Sequence, residues 1–346
     1  MRLLTGTVVS LSIFLFTPVL HAQTDLSMLR PHHATVVTWS ADSNYFATGH
    51  VDGYVRVFDR NVQMIRRFRA HNAAITTIAF SPDATRVATG GKSTYAASIW
   101  HVEEARLLAR FENIGHVLKI DWTPDGEMIR IITGNGQDTI VLADIAEDTY
   151  VVSGNGRIAS SDDVSWNPDH SVIAYSGVGS NIILVDPSEY EVIRRLDSTP
   201  DTSFLEPPNE YSTSITWHPT DNLVADGKVN GWIHVWDLAS PSDNIPVLNL
   251  EANDNATDSA VIPFDYAVKD IIFTGSGRHL LSVSAEGTLR AWDIPTGTLR
   301  LDRNMGTSAL SAAFSPDGTR LVYNTYSEVD MLPIIIDIEG LLVDED

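Results

Sequence analysis

Ile75-Thr76-Thr77-Ile78-Ala79-Phe80 runs directly into Ser81-Pro82-Asp83-Ala84, and then into Val87-Ala88-Thr89-Gly90. The first run is short, β-branched and aromatic, and it is bounded by turn residues, which predicts a buried strand. Ser-Pro-Asp suits a type I turn, because proline presets φ at the second position and the Ser or Asp side chain bonds nearby backbone. The run after the turn is again apolar, so the stretch predicts a β-hairpin.

The same hairpin recurs along the chain. Val117 to Trp122 leads into Thr123-Pro124-Asp125-Gly126, and Ala309 to Phe314 leads into Ser315-Pro316-Asp317-Gly318. Where proline is missing, other turn formers replace it, as in Ser40-Ala41-Asp42-Ser43 and Thr274-Gly275-Ser276-Gly277. The aromatic slot before the turn is filled at 39, 80, 122, 166, 217, 273 and 314, with spacings of 41, 42, 44, 51, 56 and 41. A second phrase closes each unit. Asp52-Gly53-Tyr54-Val55-Arg56-Val57-Phe58-Asp59 matches Asn230-Gly231-Trp232 through Trp236-Asp237, and Glu286-Gly287-Thr288 through Trp292-Asp293. Weaker copies end at Trp100-His101, Ala143-Asp144, Val185-Asp186 and Ile336-Asp337. A turn centred on Gly therefore feeds a third strand that ends in an aromatic and an Asp.

These phrases resemble the WD-repeat (WD40) family, whose units of about 40 to 45 residues each form a four-stranded blade. The resemblance covers roughly residues 30 to 340. It implies an all-β chain: one seven-bladed β-propeller of four-stranded antiparallel blades over residues 23–346, anchored near the seven aromatics. The Gly-His pair that opens many family units stands only at Gly115-His116, with Ala70-His71 close to it. The family's His–Ser/Thr–Asp–Trp network is accordingly expected to be incomplete in every blade. Closing the ring protects the strand edges. Family geometry assigns that closure to an N-terminal strand over residues 24–30, with residues 339–343 as the competing donor.

Residues 1–22 stand apart. Arg2 is their one charge, an apolar run from Leu3 to Leu20 follows, and Ala22 precedes Gln23. That order predicts a cleaved secretory signal peptide. The competing reading is an uncleaved anchor. The expected location of the mature chain is outside the cytoplasm (periplasmic, secreted or cell-surface), as a monomer without membrane insertion once the signal is cleaved. There are no cysteines, which excludes disulfides and thiolate chemistry. The formal charge is −22. Such a field repels phosphate backbones, so no nucleic acid is expected as a partner.

The spacings of 51 and 56 exceed 42 by 9 and 14 residues. Outer strands are predicted at Tyr190–Leu196 and Ile245–Leu250, which puts the surplus in Asp197–Tyr211 and Glu251–Tyr266. In the family's geometry these two insertions are neighbours on the top face. They carry Phe204, Tyr211, Phe264 and Tyr266 within an acidic frame, and Tyr54 and Trp232 follow Gly turns that open on the same face. Aromatic anchors ringed by polar groups suit a protein or peptide contact. The bland alternative is that these aromatics pin their own loops.

No enzyme motif stands out. Gly90-Gly91-Lys92-Ser93 lacks the upstream glycine of a phosphate loop, since Arg86 occupies that place, and it reads as a turn. No metal-ligand spacing appears among the eleven histidines, and no cofactor is expected. Asp121, Asp163 and Asp270 fall on predicted inner strands, which would place three carboxylates in the channel. The preferred reading is a non-catalytic scaffold that binds a protein or peptide through its top-face loops. The alternative is an exported lyase or hydrolase working at those carboxylates.

Overall fold

A computed structural model describes residues 33–91, 93–134, 138–147, 149–153, 163–176, 181–188, 191–197, 212–239, 246–252, 266–325, 333–338 and 341. The strands fall into seven antiparallel sheets, each in simple up-and-down order from the first strand to the last. Blade 1 comprises Ala34–Trp39, Tyr45–His50, Tyr54–Asp59 and Met64–Arg69, and blade 2 Thr77–Phe80, Arg86–Gly90, Ala96–His101 and Arg106–Glu112. Blade 3 comprises His116–Trp122, Met128–Gly134, Asp138–Asp144 and Thr149–Ser153, and blade 4 Val164–Trp166, Ile173–Ser176, Asn181–Val185 and Val192–Asp197. Blade 5 comprises Ser212–Trp217, Leu223–Lys228, Trp232–Asp237 and Leu248–Glu251, and blade 6 Val268–Phe273, His279–Ser284, Thr288–Asp293 and Thr298–Asn304. Blade 7 shows Ser311–Phe314, Arg320–Asn324 and Ile334–Asp337 among the described residues. The first strands are innermost and follow one another around the ring, blade 7 returning to blade 1. The chain is thus a seven-bladed β-propeller. Residues 1–32, with the expected signal and the closing strand over 24–30, lie outside the described residues, as do 339–340 and 342–343 of the competing donor.

The repeated hairpin owes its shape to the predicted turn chemistry. In four blades a Ser or Thr hydroxyl donates to the Asp two residues on: Ser40 to Asp42 at 2.6 Å, Ser81 to Asp83 at 2.5 Å, Thr123 to Asp125 at 2.6 Å and Ser315 to Asp317 at 2.6 Å. Burial raises the pKa of each of these carboxylates, most at Asp42, Asp83 and Asp317, but these bonds and the backbone donors beside them hold all four below their ordinary pKa. In blade 5 the same job falls to His218, whose Nδ1 accepts from the Asp221 amide at 2.9 Å.

Adjacent blades pack face against face, and each apolar cluster spans a seam. Val55, Val57 and Phe68 of blade 1 meet Ile78, Phe80 and Val87 of blade 2. Trp39, Phe46 and Phe58 of blade 1 meet Val322 of blade 7, which closes the ring. The outer strands of blades 4 and 5 run over Val192–Asp197 and Leu248–Glu251, overlapping the predicted stretches, whose first residues Tyr190 and Ile245 lie outside the described residues.

The turns before the third strands need glycine. Gly53 sits at φ +77°, and a Cβ there would stand 2.0 Å from the His71 carbonyl oxygen. Gly53→Ala is expected to destabilise the ring by about 1–3 kcal/mol through backbone strain. A urea midpoint equal to that of the unmodified chain would contradict this.

Candidate functional site

All three channel carboxylates are engaged by the fold, Asp121 within its own blade and Asp163 and Asp270 across blade seams. Asp121, on the inner strand of blade 3, lies across the sheet from Arg130 of the second strand. Its carboxylate takes both Arg130 Nε, at 3.0 Å, and Nη2. Arg130 is 2% exposed, and its guanidinium lies 4.0 Å above the Trp166 ring of blade 4. Asp163 stands one residue ahead of the inner strand of blade 4. It accepts from Lys119 Nζ of blade 3 at 2.6 Å and from the Ile215 amide of blade 5 at 3.0 Å, so it bridges two seams. Asp270 of blade 6 accepts from the Phe314 amide of blade 7 at 2.6 Å.

Electrostatics couples the four groups. Burial opposes the charge on Lys119, but Asp163 beside it, with Asp121 and Asp270 beyond, outweighs that and raises its pKa. Asp270 is pushed up to about 7, chiefly by burial and further by Asp163, while the Phe314 amide and Lys119 pull the other way. The sequence brought these carboxylates to the channel. It did not reveal Lys119 and Arg130, whose roles depend on cross-strand register and on the neighbouring blade.

Tryptophans do a second job that the repeat pattern did not disclose. Trp39, Trp122 and Trp217 each donate the indole N–H to an inner-strand carbonyl of the preceding blade: Ala313 at 3.0 Å, Ala79 at 3.0 Å and Ser165 at 3.1 Å. Where the anchor is phenylalanine, other groups stitch the seam. Thr35 donates to the Ile75 carbonyl between blades 1 and 2, and Thr213 to that of Val268 at 2.7 Å between blades 5 and 6.

The family network appears in fragments. In blade 2, His71 Nε2 lies 2.9 Å from the Thr89 hydroxyl, and burial pushes the His71 pKa down to about 4. In blade 5 the network is rebuilt. Asp226 replaces the usual hydroxyl and accepts from Trp236 Nε1 at 2.9 Å and from Ser212 Oγ at 2.5 Å. Lys228 Nζ lies 2.7 Å from Asp226, and both side chains are fully buried. The four residues form a polar unit against blade 4, since Trp236 packs on Ala174, Ile182 and Leu184.

At the top face of blades 1, 5 and 6, the connection out of the outer strand starts beside a Gly turn. Ala70 donates to the Gly53 carbonyl at 2.9 Å, Ala252 to that of Gly231 at 2.8 Å and Met305 to that of Gly287 at 2.8 Å. Trp232 therefore stands at the root of the second insertion, half-buried, with an enclosed indole N–H that has no hydrogen-bond partner. Tyr266 stands at the insertion's far end, also half-buried. Tyr54 opens the third strand of blade 1, three blades further round the ring. Phe204, Tyr211 and Phe264 lie outside the described residues. At the opposite end, sequence reasoning missed an apolar cleft of about 530 Å³ between blades 5 and 6, walled by Leu223, Val235, Leu248, Ile294 and Pro295. Its walls come from four separate strands and turns, which no local pattern joins. Among the described residues, no three of His, Asp and Glu come together where they could hold a metal.

A ring of seven such units, with Trp-Asp endings and partial histidine networks, defines a WD-repeat propeller. Similarity to known proteins agrees. A family model described as eukaryotic translation initiation factor eIF2A matches residues 6–140. The guanine nucleotide-binding protein subunit beta of Oryza sativa subsp. indica is 24% identical over 80% of this chain and 74% of its own length. The U3 snoRNP-associated protein-like EMB2271 of Arabidopsis thaliana is 23% identical over 73% of this chain and 52% of its own. The WD repeat-containing protein AAC3 of Dictyostelium discoideum is 19% identical over 59% of this chain and 46% of its own. The chain spans only a quarter to a half of several curated relatives it matches. The repeats, the seven-bladed ring and these relatives together support the WD-repeat β-propeller family.

Proposed function

We propose that this chain is a non-catalytic scaffold, exported from the cytoplasm, which binds a protein or peptide across its top face. The observation that carries this reading is the use made of the channel carboxylates. Asp163 and Asp270 each hold a seam together, and Asp121 holds Arg130 of its own blade against Trp166 of blade 4, so the ring is a frame and recognition passes to the loops that leave it. Trp232 and Tyr266 bracket one such loop, and half-buried aromatics of this kind are frequent anchors of protein interfaces. The relatives named as a G-protein subunit and a snoRNP-associated protein support a role in assemblies. The net charge of −22 favours protein over nucleic acid as the direct contact. Export rests on the order of charge, apolar run and small residue in 1–22.

Affinity capture from the exported fraction tests both halves. The recovered chain is expected to begin at Gln23, and a chain retaining 1–22 would refute cleavage. A partner held by the native chain is expected to be lost from a variant carrying Phe204→Ala, Tyr211→Ala, Trp232→Ala, Phe264→Ala and Tyr266→Ala whose circular dichroism is unchanged. A partner retained equally by both would move the contact away from this face.

A further inference from the structure

Blades 1 and 6 carry an arginine at the same slot of the third strand, Arg56 and Arg290, four residues after Asp52 and Glu286. In blade 6 the residue directly across on the outer strand is Asp302. Its carboxylate accepts from Arg290 Nε at 3.2 Å and from Nη2 at 3.0 Å, while Nη1 donates to the Glu251 carbonyl at 2.9 Å. Every face of that guanidinium is satisfied by the fold.

In blade 1 the residue across from Arg56 is Arg67. Two like charges face each other where blade 6 has an ion pair, an arrangement that is unfavourable in itself. The next rung adds Arg69 across from Tyr54. The Arg67 guanidinium lies 4.3 Å above the Tyr54 ring, which favours a cation there but does not neutralise it. Among the described residues, Asp52 is the carboxylate that stands against these three cations, at 3.2 Å from Arg56 Nη2. Arg56 Nη1 is buried without a hydrogen-bond partner. Arg67 and Arg69 are exposed, so the slot is open to solvent on its outer side. A chain with 45 carboxylates and 23 Lys and Arg residues has left this place cationic.

We propose that the blade 1 slot binds a side-chain carboxylate of an acidic partner peptide, which takes between Arg56 and Arg67 the place that Asp302 fills in blade 6. This deepens the scaffold reading and rests on it: the slot opens beside Gly53, at the end where the connecting loops leave. Blade 6 supplies the chemical precedent, since the same arginine in the same register already holds a carboxylate in two hydrogen bonds. An extended anionic surface is a poor occupant. The slot acts within a Debye length of about 8 Å at physiological salt. A membrane or polyanion would also meet the field of the remaining acidic surface, whereas a short peptide feels mainly the slot.

The test uses the full chain and a short fluorescein-labelled peptide that alternates glutamate with serine, beside its glutamine counterpart. Fluorescence anisotropy is expected to show at least about tenfold tighter binding of the glutamate peptide, weakening as salt is raised. Arg67→Asp should abolish that difference and raise the melting temperature, because it installs in blade 1 the pair seen in blade 6. Arg67→Ala with Arg69→Ala should abolish the difference without raising the melting temperature, and Arg303→Ala on blade 6 should leave binding intact. Equal binding of both peptides, or binding that survives Arg67→Asp, overturns the proposal. A phosphoserine peptide that binds tighter and is displaced by inorganic phosphate overturns the choice of carboxylate. If the capture experiment yields a partner through Trp232 and Tyr266 while the glutamate peptide fails, the scaffold stands and this slot falls.

Discussion

Lys228→Met is expected to lower the unfolding free energy by about 3–5 kcal/mol, because it strands the Asp226 carboxylate in the seam between blades 4 and 5 without its countercharge. Asp226 and Lys228 are both fully buried and 2.7 Å apart. Burial alone would raise the Asp226 pKa; Lys228, then His234, reverse this and hold it below the ordinary range. Removing the lysine leaves the burial penalty and takes away the larger of those two attractions. Ser212 and Trp236 donate to the carboxylate but cannot replace a full charge. Urea unfolding followed by tryptophan fluorescence measures the loss. Adding Asp226→Asn to Lys228→Met should restore most of it, since the amide oxygen still accepts from Trp236 Nε1 and no charge remains buried. Removing one partner of a buried pair is costly, whereas removing both is often nearly neutral. Equal losses in the single and double variants would show that the two residues matter through packing and not through their charges.

That pair also marks the limit of what the sequence discloses. Leu223-Val224-Ala225-Asp226-Gly227-Lys228 reads as a strand whose alternate charges face water. Nothing local says that blade 4 lies over that face. The seven anchors, the Ser-Pro-Asp turns and the Gly turns were legible because each is a local signal repeated at a fixed period, and a period of about 42 residues exposes a blade. The blade count therefore followed from residues that a reader can align by eye. The seams did not. Arg130 reaches Asp121 through cross-strand register, Asp163 reaches Ile215 through a neighbouring blade, and Trp217 finds the Ser165 carbonyl 52 residues away. Register and ring closure are long-range properties, and a pattern of period two carries neither. The candidate aromatics rest on insertion length and Gly turns, and Phe204, Tyr211 and Phe264 lie outside the described residues. The contrast of Arg67 in blade 1 with Asp302 in blade 6 became meaningful only once the strands were in register.

Asp270→Asn and His71→Gln are expected to give pH–stability profiles of opposite slope, although the unmodified chain is flat with respect to both groups. Asp270 has its pKa raised from 3.8 to about 7 by burial and by Asp163, against the pull of the Phe314 amide and Lys119. Its contribution is fully present below the unfolded value and is lost as pH rises through the folded one. His71 is depressed from 6.5 to about 4 by burial, only partly offset by its bond to Thr89. Its contribution is present above the unfolded value and is lost as pH falls through the folded one. Between those limits the folded chain holds one extra proton on Asp270 and lacks one on His71, so the two effects cancel. Removing Asp270 leaves the His71 dependence, and stability should rise by about 1.4 kcal/mol per pH unit between roughly pH 4 and 6.5. Removing His71 leaves the Asp270 dependence, and stability should fall by about the same amount per unit between roughly pH 4 and 7. Every other titrating group is common to the three proteins, so the differences between profiles isolate these two. Thermal unfolding across that range decides the matter. Parallel profiles would mean that neither group changes its protonation on folding, and that the channel and the blade 2 network are open to water.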